Sequence, residues 1–207
     1  MPLVKSLDRA ESREATRREI GRVAVDLFLR QGFQQTTADQ IAEAAGVSRR
    51  TFFRYFDTKE EALSAWGDDV GSDLAAVATA RPLSEPVFTT LRAALQALVD
   101  YAEQDVQRIR KLKELTAPTG LFPALREDKR GSWSTTLATA LAVRNGTMDF
   151  AGTALQVTAA LLAYDWAMSR WLADPEANGL GDLVDQAFRI IQSGFLLPGM
   201  ESGRRVK

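Results

Sequence analysis

Cysteine and histidine are both absent from the 207 residues. Without cysteine there is no disulfide and no thiolate nucleophile, and a reducing interior is the expected compartment. Without histidine the chain lacks the commonest general base near neutral pH and the commonest transition-metal ligand. Aspartate and glutamate could still serve as acids, bases or hard-cation ligands, but no paired-carboxylate pattern stands out. No catalytic residue, cofactor or metal site is therefore expected. Long apolar runs are missing too. The stretch 150–164 is free of charge but includes Thr and Gln, and it falls short of the roughly 20 residues a spanning helix needs. The opening MPLVKSLDRAES has no apolar core of signal-peptide length. A cytoplasmic protein without membrane contact is expected.

What is present is an ordinary globular balance, 45% apolar and 26% charged residues with a net charge of −1. That small net charge conceals an asymmetry. Residues 1–60 carry 11 Lys/Arg against 9 Asp/Glu, and residues 61–207 carry 15 against 18. The excess is sharpest between Ser48 and Lys59, where Arg49, Arg50, Arg54 and Lys59 face only Asp57.

Strand signals are nearly absent, and glycine and proline cut the chain into helical segments. Ile20, Val23, Ala24, Leu27 and Phe28 recur at helical spacing and predict a helix over 12–30. Gly32 stands where such a helix ends. Thr37 caps a short second helix, with Gln40 three residues on as a capping box requires, and Ser48 caps a third through about residue 56. Longer helices are predicted over 59–79, 85–104, 108–116, 122–144, 149–173 and 181–197. The fold class is all-α with about nine helices. The expected division is an arm without structure at 1–12, a helix-turn-helix domain at 13–60, a larger helical domain at 61–198 and a tail without structure at 199–207.

The stretch AGVSRRTFFRYF combines charge and aromatic surface within one short helix. Ala42 lets a second helix approach closely, and Gly46 accepts the left-handed backbone of the turn. At 100° per residue Phe52 and Phe56 lie within about 40° of each other and predict a buried stripe. Arg49, Arg50, Thr51, Phe53, Arg54 and Tyr55 fill the remaining arc. Such a face suits the DNA major groove: arginine forks onto guanine, hydroxyls bond phosphates, and a Phe edge rests on a thymine methyl.

The segment TTADQIAEAAGVSRRTFFRYFDTKEEAL resembles the DNA-binding signature of the TetR (tetracycline-repressor-like) family of transcriptional regulators, over roughly residues 13–64. The resemblance implies a three-helix N-terminal reading head, followed by a helical ligand-binding and dimerisation domain. It implies that Thr37 bonds a backbone phosphate and that Arg49 and Arg50 read bases, with Phe53 and Arg54 beside them and Ser48 at the helix start. Thr51, Tyr55 and Lys59 resemble the family's phosphate clamps. The Phe53 position is often tyrosine in relatives, so Phe53 offers apolar contact alone.

One short basic helix makes too few contacts for selective binding. A homodimer presenting two such helices about 34–36 Å apart to a palindromic operator supplies the rest. Val157, Leu161, Leu183, Val184, Ala187, Phe188 and Ile191 are the expected dimer interface. Phe88, Leu91, Leu95, Tyr101, Leu112, Trp133, Leu137 and Trp166 are the expected lining of an effector pocket. Residues 108–190 also look similar to a TetR subgroup with acyl-CoA-like ligand-binding domains, which implies an acyl-CoA-like effector and phosphate contacts from Arg108, Arg110, Lys111 and Lys113. The expected function is a sequence-specific dimeric regulator, a repressor released by a small apolar or acyl-CoA-like effector. The alternatives are an enzyme using the apolar pocket, which product formation would reveal, and a DNA-compaction protein, which would bind every duplex alike.

Overall fold

The computed structural model describes residues 2–65, 70–146, 149–174 and 178–193, with side chains from residue 12 onward. The expected tail at 199–207 and the last residues of the helix predicted to reach 197 lie outside these residues. Among the described residues every regular element is helical. They are α1 (Pro2–Gln31), α2 (Ala38–Ala44), α3 (Arg49–Tyr55), α4 (Lys59–Ser64), α5 (Val70–Ala80), α6 (Val87–Gln104), α7 (Val106–Thr116), α8 (Leu121–Asn145), α9 (Phe150–Ala173) and α10 (Leu180–Gln192). A 3-10 turn at Ala117–Thr119 joins α7 to α8. The class is the expected one, with ten α-helices rather than nine.

Two boundaries differ from expectation. α1 begins at Pro2 instead of following an unstructured arm; proline suits the first helical turn, and neither proline nor glycine recurs before Gly21. The helix predicted over 59–79 is two helices, α4 and α5. Apolar periodicity does not register that α4 ends at its Ala65 cap.

The chain forms two compact units. One comprises the chain up to Val70 with Gln107–Lys129, and the other Gly71–Val106 with the chain from Arg130. The expected cut after residue 60 falls inside α4, and the contacts of 107–129 are mainly with the first unit. Long-range packing, invisible in local sequence, makes the difference. A Cβ on Gly21 of α1 would stand 2.9 Å from the Ala65 Cβ and 3.1 Å from the Ala62 carbonyl, so α4 lies directly against α1. Arg108 of α7 donates to Asp26 of α1 at 2.7 Å.

Within the first unit, Ile20, Val25 and Phe28 of α1 are buried with Phe33, Ile41, Phe52, Phe56 and Leu63. The Phe28 and Phe33 rings meet at 4.8 Å. The three short helices all start on a hydroxyl: Thr37, Ser48 and Thr58 accept from the backbone N–H of Gln40, Thr51 and Glu61. The capping box predicted at Thr37 is complete, and Gly46 takes φ 66° in the turn between α2 and α3.

In the second unit α6 packs on both α9 and α10, and α9 lies along α10. Phe88 meets Phe188 edge-on at 6.0 Å, and Arg92 pairs with Asp185 at 2.5 Å. Arg130 of α8 pairs with Asp165 of α9 at 2.5 Å, and Ser134 shares a hydrogen bond with Thr158 at 3.0 Å. This packing corrects the expected interface. Val157, Leu161, Leu183, Val184, Ala187 and Phe188 are all buried inside the subunit, and Ile191 is half-buried. They hold α9 and α10 together. The apolar residues α9 leaves in the open are Phe150, Leu155 (71% exposed), Leu162 (47%) and Trp166.

The link between α5 and α6 is tied by ions. The Arg81 Nε donates to the Glu85 carboxylate at 2.7 Å, its Nη2 pairs with the other carboxylate oxygen, and Thr90 Oγ1 donates at 3.0 Å. With Arg81 as the main cause, the Glu85 carboxyl falls from 4.5 to about 2. A depressed carboxyl stabilises the fold fully above its unfolded value and loses that contribution as pH falls through the folded one. Wild type should therefore lose its stability margin over Glu85→Gln between about pH 4.5 and 2. Thermal melts of both proteins across that range check this; a margin independent of pH would contradict it.

Candidate nucleic-acid interface

Spacing divides the seven residues of α3 and its C-cap into four i,i+4 pairs, each with its own surroundings. Phe52 and Phe56 are buried and stack at 5.6 Å. Thr51 and Tyr55 are half-buried, and Arg50 and Arg54 are exposed. Arg49 and Phe53 are exposed together, with the guanidinium 5.3 Å from the ring centroid. The predicted split holds for buried Phe52 and Phe56 and for exposed Arg49, Arg50, Phe53 and Arg54, while Thr51 and Tyr55 lie at its margin.

The outer face is ordered by its neighbours. Phe53 stands edge-on against Phe52 at 5.3 Å, which holds its exposed ring in one attitude. Arg54 lies 5.0 Å from the Tyr55 ring and its Nη2 is 3.4 Å from the Tyr55 hydroxyl. Ser48 Oγ accepts from the Thr51 N–H at 3.0 Å and lies 2.9 Å from the Thr51 hydroxyl. Thr37 is exposed at the start of α2. Its hydroxyl accepts from Gln40 N–H at 3.2 Å, while Gln40 Oε1 accepts from Thr37 N–H at 2.9 Å and from Gln31 at 3.0 Å.

Lys59 is placed otherwise than expected. Its Nζ donates to the carbonyls of Phe33 at 2.7 Å and Thr36 at 3.0 Å, and sits 4.6 Å from the Phe33 ring centroid. The ammonium thus ties down the loop between α1 and α2 rather than standing free for a phosphate. Charge-assisted hydrogen bonds of this kind are each worth about 1.5–3 kcal/mol. Lys59→Met should lower stability by that order, with an earlier melt by circular dichroism; an unchanged melt would show the carbonyl contacts to be incidental.

Two contributors were not found by sequence reasoning. Arg13 lies 5.9 Å from the Tyr55 ring and Arg17 5.1 Å from the Phe56 ring, so α1 adds cations to the edge of the α3 face. Their i,i+4 spacing was the available signal, but it does not reveal which helix they face.

The residues expected to line an effector pocket lie in differing surroundings. Leu91, Leu95 and Leu137 are fully buried, Phe88 packs on Phe188, and Trp133 packs against Gly71, where a Cβ would stand 3.0 Å from its ring. Tyr101 and Trp166 face outward, 49% and 38% exposed, and Leu112 is buried. A pocket of about 690 Å³ lies instead along α5 and α8, lined by Thr79, Thr135, Thr136, Thr139, Ala140, Val143 and Arg144. The four threonine hydroxyls donate to carbonyls of their own helices, which leaves the pocket mainly apolar. Arg144 donates to the Arg81 and Pro82 carbonyls, yet its buried Nε has no partner among the described residues. No group of three metal-ligating side chains occurs among the described residues, and no helix there is long and apolar enough to cross a membrane.

A sequence profile described as bacterial regulatory proteins, tetR family, matches residues 20–65, and one described as the MftR C-terminal domain matches residues 85–196. Over 195 residues the chain is 33% identical to a Mycobacterium tuberculosis protein named as a mycofactocin biosynthesis transcriptional regulator, MftR, covering 88% of this chain and 92% of that one. The chain belongs to the TetR family. It is a DNA-binding transcriptional regulator of helix-turn-helix type with an MftR-like C-terminal domain. Over 84 residues it is 38% identical to the regulator TcmR of Streptomyces glaucescens, 41% of this chain and 37% of that one. The crystal structure of Thermus thermophilus FadR, a TetR-family repressor in complex with lauroyl-CoA, shares the fold with a TM-score of 0.58 at 24% identity, covering 91% of this chain and all of that one. Within this TetR-family chain, α2 and α3 are the two helices of the helix-turn-helix.

Proposed function

We propose that this TetR-family protein is a cytoplasmic homodimeric repressor whose α3 helices read the two halves of a palindromic operator. The observation that carries this reading is the outer face of α3, where Arg49, Arg50, Phe53 and Arg54 stay exposed while Phe52 and Phe56 anchor the helix. In the complex Arg49 and Arg50 contact bases and Phe53 packs on a thymine methyl. Thr37, Ser48, Thr51 and Tyr55 contact phosphates, with Arg54 at the edge. Lys59 supports the loop before α2. The dimer forms through the open face of α9, at Leu155, Leu162 and Trp166.

The effector enters the second unit at the pocket along α5 and α8, whose volume lies within the ordinary range for small-molecule sites. Its apolar lining takes an acyl chain or similar body, and the positive charge of Arg144 at its wall favours an anionic head group. Effector binding shifts a balance between DNA-competent and DNA-incompetent forms, by no more than its differential affinity for the two. The lauroyl-CoA bound by FadR makes acyl-CoA the first compound to try.

The test is selection from random duplex DNA, repeated with lauroyl-CoA and with simple apolar compounds. The expected product is a palindrome with half-site centres about 10 base pairs apart, released by an acyl compound and retained more firmly by Arg144→Met. Enrichment of no sequence would overturn the reading.

A further inference from the structure

Arg49 is the one arginine of α3 tied to another helix among the described residues. Its Nη1 donates to the Asp39 carboxylate of α2 at 2.5 Å, and its guanidinium lies on Phe53. Both side chains are open to water, Arg49 69% and Asp39 57% exposed. Ion pairs this exposed contribute little to stability, and the first turn of α2 favours the Asp39 carboxylate without needing Arg49 beside it, so folding energetics do not explain the pairing. Nor is the position neutral for DNA binding, because a negative charge on the outer face repels phosphate. The geometry supplies a reason. With Nη1 held by Asp39 and the plane held by Phe53, the Nε and Nη2 hydrogens remain, side by side, without partners among the described residues. That edge is the fork that matches guanine O6 and N7.

We infer that Asp39 is a specificity-determining positioning residue: it fixes the Arg49 guanidinium so that its free edge meets a guanine. This rests on the proposed reading of α3 as the base-reading helix and names what sets its selectivity. A long, flexible arginine must lose rotamer freedom on meeting a base. Where Asp39 and Phe53 have already ordered it, that loss is incurred on folding, and the base contact gains accordingly. Removing the carboxylate frees Arg49 to pair with phosphates, which helps every duplex alike. The carboxylate therefore exchanges general affinity for selectivity.

The experiment uses the full-length protein and an operator selected from random duplexes. Affinities for operator, for operator with single base replacements and for random duplex are measured in wild type, Asp39→Asn, Arg49→Ala and the double variant, at one fixed salt concentration. Asp39→Asn keeps the size of the side chain and removes its charge. It should tighten binding to random duplex and weaken preference for the guanine, lowering the operator-to-random ratio roughly tenfold, as expected for the loss of one well-made base contact. In the Arg49→Ala background the same change should leave the ratio unaltered. A helix-terminal role for Asp39 would instead alter the melting temperature and leave base preference intact in both backgrounds, which would overturn the inference. So would an equal drop in ratio with and without Arg49. Failure of wild type to select any sequence would overturn the underlying reading itself, and is distinguishable because it appears before any variant is made.

Discussion

Phe52→Ala should lower the stability of the first unit by about 3–5 kcal/mol, the usual cost of emptying a buried aromatic site. Phe52 is fully buried, and its ring supports both Phe53 and Phe56. For a chain of this size that corresponds to a fall in Tm of roughly 6–20 °C. The loss should not be confined to stability. Phe53 rests on the Phe52 edge, and Arg49 rests on Phe53, so the outer face loses its footing even where the helix persists. Operator binding at a temperature well below the melt should therefore fall more than binding to random duplex. A melt within 2 °C of wild type, or equal losses on both DNAs, would contradict this account (the first figure being about one kcal/mol at this size).

Arginine at both Leu155 and Leu162 should produce a monomer and a severe loss of operator binding. The two residues lie seven apart on α9 and are among the most open large apolar residues on that helix. They are buried in no intrachain core, so the subunit should retain its helical content. Two heads joined in one particle bind more tightly than one by about 10²–10⁴, and separation forfeits that factor. Sedimentation at micromolar concentration reads the mass, and titration of operator reads the affinity. A double variant that sediments as wild type does would move the interface away from α9.

The sequence spoke most clearly where a single helix carries the information. Phe52 and Phe56 against Arg50 and Arg54 is an i,i+4 pattern, and both its buried and its open halves are written in the local sequence. Thr37 with Gln40 is equally local, a cap and its answer three residues later. The placement of Lys59 is not local, because it depends on carbonyls 23 to 26 residues earlier, brought near only when α4 packs on α1. α9 was misread for a different reason. Both of its apolar stripes are visible in the sequence, but periodicity says that a stripe is covered and not by whom. Val157 and Leu161 are covered by their own chain, whereas Leu155 and Leu162 are not. The pocket residues suffered the same ambiguity. Large rings such as Tyr101 and Trp166 suit a ligand wall and an outer surface equally well, while the small threonines along α8 carried no signal of a hollow.

The three short helices of the first unit, α2, α3 and α4, of seven, seven and six residues, are each well under the length at which a helix survives alone in water. Each borrows its first turn from one hydroxyl and the rest from a common set of phenylalanines. None can fray far without undoing the others. Amide hydrogens of α2, α3 and α4 should accordingly trade with deuterium at one shared rate, a single door that opens or stays shut, and the surface offered to DNA is present entire or not at all.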